Sequence, residues 1–218
     1  DAENSICVKP TPYRSVPYFV ESDWSAASYW YQIMALSEKA EITLDGLFGE
    51  SYQGDSAVAA LFEQLGVETI YEEKRVRLRK TGRITKYMEY NFVNQPDLAQ
   101  TFVVTCALLG VSFRFTGLQS LKIKETDRIA ALIKELGKLG YLINEENDSV
   151  LYWHGERGEA DACPAIDTYE DHRMAMAFAP ASMVMPEIRI NEPQVVSKSY
   201  PHYWTHLEEA GFTLTEVK

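Results

Sequence analysis

The sequence predicts an α/β fold of inside-out type, a pseudo-threefold domain of repeated helix–strand units with buried helices at the centre and small sheets outside. Three observations lead there. Three segments begin with Asp and run into apolar sequence: DWSAASYWYQIMAL, DLAQTFVVTCALLG and DHRMAMAFAPASMV. Their leading residues Asp23, Asp97 and Asp171 stand 74 apart (97 − 23 and 171 − 97). Three amphipathic stretches, FEQLGVETI, GKLGYLI and EEAGFTL, end at a Gly and turn into strand-like sequence. Gly66, Gly140 and Gly211 stand 74 and 71 apart (140 − 66 and 211 − 140). A short β-rich run, EITL, SFRFT or EIRI, follows each Asp-led segment. Two independent landmarks with nearly one period mark a repeat.

In chain order, the first residues DAENSICVKP lack an initiating Met and lead almost at once into strand-like sequence. The chain is therefore read as a piece of a longer protein, with residues 1–24 leading into a three-repeat domain over 25–218. Each Asp-led helix is apolar all round, which places it in the interior, and its Asp is suited to cap the helix start. In the first unit the strand at 41–44 is followed by a polar loop, a helix ending at Gly66, and the strands VETIYE and RVRLRK. In the second, Ile129, Leu132, Ile133, Leu136 and Leu139 form an apolar helical stripe, Thr126 is the expected N-cap, and Gly140 is the stop. The strands YLINEE and SVLYWH follow. In the third, VVSKSYP leads into the last helix with Pro201 in its first turn. That unit ends on one strand, FTLTEV, whose missing partner is expected from elsewhere in a longer chain.

The composition is globular, 46% hydrophobic and 24% charged over 218 residues. No apolar run is long enough to span a membrane. A net charge of −11 argues against general affinity for nucleic acid or an anionic membrane. Cys7, Cys106 and Cys163 are widely spaced and form no metal or disulfide pattern, which fits a reducing, cytoplasmic setting.

The cations are the unusual feature. Arg128 falls in the first turn of a helix, where its charge has the wrong sign for the dipole, at a cost of about 0.3–1 kcal/mol. Lys124 lies just upstream. Arg173 follows Asp171 and His172 at another helix start, and Lys198 precedes a third. Neighbouring carboxylates such as Glu125 and Asp127 would compensate Arg128; so would a bound anion, drawn by free backbone N–H groups and the cations together. The recurrence of the feature at three helix starts favours an anion site. Asp97 reads as an N-cap from its position in the repeat, and Glu125 as a partner of Arg128 or Arg173. A carboxylate beside several cations stays ionised until an anionic ligand offsets them, after which it is able to exchange a proton.

The motifs VESDWSAASY, QPDLAQTF, LKIKETDRIAAL, YEDHRMAMAFA and VVSKSYPHYW, in that order, resemble those of the C-terminal half of the EPSP synthase family. The resemblance implies an enolpyruvyl transferase-like fold, with residues 1–24 as the tail of a missing N-terminal domain and 25–218 as the C-terminal domain. It implies transfer of the enolpyruvyl group of phosphoenolpyruvate to the 5-hydroxyl of shikimate 3-phosphate, in aromatic amino-acid biosynthesis, without a cofactor or metal. A full-length protein would be a monomer, and this piece alone inactive. The resemblance assigns Asp97 to the hydroxyl proton, Lys124 to the shikimate part and reacting centre, and Glu125 to protonation of the phosphoenolpyruvate methylene. Arg128, Arg173 and Lys198 would hold the phosphate and carboxylate, with His172 in a secondary place. Two positions depart from the pattern. Ser120, expected to bind substrate, stands where Asn often contacts the shikimate phosphate, and Glu170 stands where Asn is common. The competing reading is a non-catalytic anion-binding module.

Overall fold

The computed structural model describes residues 5–217. Helices α1 (Trp24–Leu36), α3 (Ala99–Leu109) and α5 (His172–Phe178) are the three Asp-led segments, and they pack on one another at the centre. Their side chains are apolar almost all round: in α3 every residue but the last is buried. Some of the polar groups among them are hydrogen-bonded across helices, although the Gln100 amide is buried without a partner. Ser28 and Thr101 share a bond of 3.1 Å, and Gln32 Nε2 donates to the Ala177 carbonyl at 3.0 Å. Such bonds offset the cost of burying amides and hydroxyls. A chain of ring contacts from Tyr31 through Phe62, Phe102 and Phe92 to Phe115 ties the first unit to the second.

Three small sheets lie outside. The first runs β1 (Ile42–Asp45), β3 (Arg75–Ile84), β2 (Leu65–Tyr71), all antiparallel. In β3, Val76 and Leu78 face inward while Arg75, Arg77 and Arg79 face solvent, as the alternation of RVRLRK requires. The second runs β4 (Tyr87–Asn91), β5 (Ser112–Thr116), β7 (Val150–Trp153), β6 (Asn144–Glu146), with β4 and β5 parallel. The third is the parallel pair β8 (Ala165–Ile166) and β9 (Arg189–Ile190). Each buried helix of the second and third units thus crosses between parallel strands. The amphipathic helices are α2 (Val58–Glu63), α4 (Arg128–Lys138) and α6 (Tyr203–Glu209).

Several boundaries differ from expectation. Residues 5–20 are exposed, and among the described residues neither they nor 212–217 join a sheet. Residues 1–4 of the expected tail lie outside the described residues. Asp127, not Thr126, caps α4, accepting from Ala130 N at 3.1 Å. The last helix begins at Tyr203, so Lys198 ends a separate 3₁₀ turn, Pro193–Lys198, and Pro201 lies before the helix.

Gly117 brings two loops of the second unit together. Its φ is +74°, and a Cβ there would sit 2.6 Å from Val93 N and 2.1 Å from Asn91 Oδ1. Only glycine permits that approach. The contact joins the loop leading to α3, which carries Asp97, to the loop leading to α4, which carries Lys124 and Glu125.

Candidate functional site

The starts of α4 and α5 converge with the turn that leads into α3, and Lys198 reaches their edge from its 3₁₀ turn and not from a helix start. Arg128 is buried to 1% exposure and engages three carboxylates at once. Its Nε donates to Asp171 Oδ2 (2.6 Å), Nη1 to Asp97 Oδ1 (3.2 Å) and Nη2 to Glu125 Oε2 (2.7 Å). Arg173 Nη2 donates to the other oxygen of Asp97 (2.9 Å), and Lys124 Nζ lies 3.6 Å from Asp97 Oδ1. Lys198 Nζ donates to the carbonyl of Glu170, next to Asp171 (2.6 Å). His172 is buried beside Arg173 with its Nδ1 unpartnered. Ser120 sits half-buried in the 3₁₀ turn Gln119–Ile123 and takes no part in this network.

The wrong-sign charge at the start of α4 is therefore compensated by Glu125, Asp97 and Asp171. Asp97 does not cap its helix. The 3₁₀ turn Pro96–Leu98 winds the chain one turn further back, Gln95 takes the cap position, and the Asp97 side chain is left to the two guanidinium groups. Asp171 does cap α5, accepting from Arg173 N (2.8 Å), and also holds Arg128. The sequence reading missed this second role because a cap already accounts for an Asp at that place. It missed two neighbours as well, one buried and one half-buried. Tyr29 has its phenol pushed up to about 12 by burial, against the pull of Arg173. Asp55 is hydrogen-bonded by Ser25, and its carboxyl is raised by burial and by nearby Asp97.

The electrostatics favour ionised carboxylates. Burial pushes Asp97 up, but Arg173, Lys124 and Arg128 together outweigh it and hold the group below its ordinary value. Glu125 is also raised by burial, yet its own backbone N–H and the charges of Arg128, His172 and Arg173 bring it below the ordinary range. Burial and the adjacent Arg173 lower His172. Asp97 and Glu125 keep about a third of their side-chain surface exposed, 30% and 36%, so both remain open to a ligand. Among the described residues no group of three or more His, Cys, Asp or Glu is placed to hold a metal ion, and no helix is long and apolar enough to cross a membrane.

Residues 1–207 match the family model described as EPSP synthase (3-phosphoshikimate 1-carboxyvinyltransferase). The chain belongs to the EPSP synthase family. A 3-phosphoshikimate 1-carboxyvinyltransferase of Bacteroides fragilis strain YCH46 is 64% identical over 211 residues, 97% of this chain and 52% of that protein. The enzyme of the same name from Syntrophobacter fumaroxidans is 32% identical, over 96% of this chain and 49% of its own. Among solved structures, EPSP synthase from Acinetobacter baumannii superposes with a TM-score of 0.73 at 22% identity, covering 89% of this chain and 47% of its own. The enolpyruvyl transferase NikO from Streptomyces tendae does so with a TM-score of 0.60 at 17% identity, over 88% and 43%. These likenesses bear out the expected α/β fold. The chain spans about half the length of the EPSP synthase relatives it matches.

Proposed function

We propose that the longer protein to which this chain belongs transfers the enolpyruvyl group of phosphoenolpyruvate to the 5-hydroxyl of shikimate 3-phosphate and releases phosphate. In this reading the chain is the C-terminal half, residues 1–24 are the end of the other domain, and the cluster forms one wall of a cleft between the halves. The protein works as a monomer in the cytoplasm, in the shikimate pathway to aromatic amino acids.

The observation that carries the reading is the freedom of Asp97 from helix capping, with Arg128, Arg173 and Lys124 around it and Glu125 beside them. Phosphoenolpyruvate needs a proton at C3 before C2 accepts an oxygen nucleophile. Glu125 supplies that proton. It is ionised at rest, and the charge of the bound anion offsets the cations around it and raises its proton affinity. The 5-hydroxyl adds to C2 and its proton passes to Asp97. Breaking the bond from C2 to the phosphate oxygen then releases phosphate while Glu125, ionised again, takes a proton back from C3, which gives the enol ether. Lys124, Arg173 and Lys198 stabilise the departing phosphate charge, and Arg128 holds the carboxylates in register. A module that only binds anions has no need of two half-exposed carboxylates among its cations, which disfavours that alternative.

The test is Glu125→Gln in the full-length protein. Phosphate release from the two substrates is expected to fall by about 10²–10⁴ while phosphoenolpyruvate binding, measured by calorimetry, changes little. Wild-type-like turnover in that variant would remove Glu125 as the acid. The 218-residue chain alone is expected to bind phosphoenolpyruvate weakly and not to turn over.

A further inference from the structure

Just before the α5 cap the backbone makes a tight turn. Asp171 N donates to the Thr168 carbonyl at 2.8 Å, and both central residues are left-handed, Tyr169 at φ +53° and Glu170 at φ +57°. A turn with two positive φ values is the type that Gly, Asn and Asp tolerate. Tyr and Glu are strained there, so something outside the turn must hold it.

The holder is on α4. Glu135 is fully buried and accepts from the Tyr169 hydroxyl at 2.5 Å and from Asp167 N at 3.1 Å. Lys138, one turn on, pairs with Glu135 (2.6 Å), donates to the Ala165 carbonyl (2.7 Å) and reaches Asp167 (3.1 Å). Lys134 lies over the Tyr169 ring, 5.4 Å from its centroid. What the turn delivers is the site: the Glu170 carbonyl that receives Lys198, and Asp171, which engages Arg128 and starts the helix carrying Arg173.

We propose that Glu135 is a positioning residue, which, through Tyr169 and Asp167, holds the strained 168–171 turn and so sets where Lys198 and Arg173 meet the anionic substrate. The inference rests on the enolpyruvyl transfer reading above. Glu135 itself bonds to Tyr169, Asp167 and Lys138, none of them a proposed ligand group.

The test uses the full-length protein, assayed for phosphate release with phosphoenolpyruvate and shikimate 3-phosphate. Tyr169→Phe removes one hydroxyl, and Glu135→Gln leaves one acceptor where two are needed. Tyr169→Phe is expected to raise KM for phosphoenolpyruvate about 3–10-fold and Glu135→Gln more, with kcat within about threefold in both. A merely structural role would lower thermal stability and leave KM unchanged. Wild-type KM in folded Tyr169→Phe would overturn the proposal, and that variant decides alone if Glu135→Gln does not fold. If the wild-type protein releases no phosphate from these substrates, the functional reading fails. Inorganic phosphate binding by calorimetry then decides the positioning role: Tyr169→Phe is expected to weaken it to a similar degree, and unchanged affinity would overturn the role.

Discussion

Asp23 and Asp97 hold the same place in successive repeats and do different work. Asp23 is exposed, accepts a bond of 2.7 Å from Ser25 N, and caps α1. Asp97 caps nothing and lies between Arg128 and Arg173. The surroundings account for the difference. Where the second unit has Lys124, Glu125 and Arg128, the first has Glu50, Ser51 and Gly54, one period earlier; two residues after Asp23 stands Ser25, where the third unit has Arg173. A repeat conserves geometry, and chemistry arises where charge is added to that geometry. Asp171 stands between the two cases, since it both caps its helix and binds a buried guanidinium.

The contrast is broken most severely at Asp97. Asp97→Ala in the full-length protein is expected to lower kcat by about 10²–10⁴, measured by phosphate release, whereas Asp23→Ala leaves kcat alone. Next comes Asp171→Ala. It leaves Arg128, at 1% exposure, without its closest partner, and should cost about 3–5 kcal/mol in urea unfolding. The pH dependence of stability is a smaller effect. Asp97 and Glu125 are depressed below 3.8 and 4.5, so their contribution is fully present above those values and is lost as pH falls through the lower folded-state values. Unfolding free energy followed from pH 6 downward should show this slope in the wild type and a shallower one in Asp97→Asn. Smallest is the cap itself: Asp23→Ala should cost about 0.5–2 kcal/mol of unfolding free energy.

The parts of the fold that were legible are those set by local chemistry. Apolar sequence without a polar face marked the three central helices, and Asp and Gly landmarks marked their repeat. The two-residue strands β8 and β9 were out of reach as a pair, because alternation needs a longer run to register. β4 was missed because its partner β5 lies beyond an intervening helix. In the site, Lys124, Arg128 and Arg173 stood out because cations at a helix start oppose the dipole, and Glu125 because it lies among them. Asp171 did not, since capping satisfied every local rule, and its partner Arg128 is 43 residues away. Glu135 was hidden in the same way, as an ordinary member of a helical face whose partners lie on a distant turn. The φ of +57° at position 170 suits the Asn expected there, and nothing in the structure explains the Glu.

All three nitrogens of the Arg128 guanidinium are already committed, to segments from two different repeats. Its planar fork fixes angles as well as distances, so the α4 start, the α3 entry and the α5 start are clamped as one unit. A lysine in its place would keep the charge and lose the angles. Lys198, on an exposed 3₁₀ turn and tied by its side chain to a single carbonyl, is outside that clamp. It is held to the site through the 168–171 turn, so its place follows that turn rather than the guanidinium.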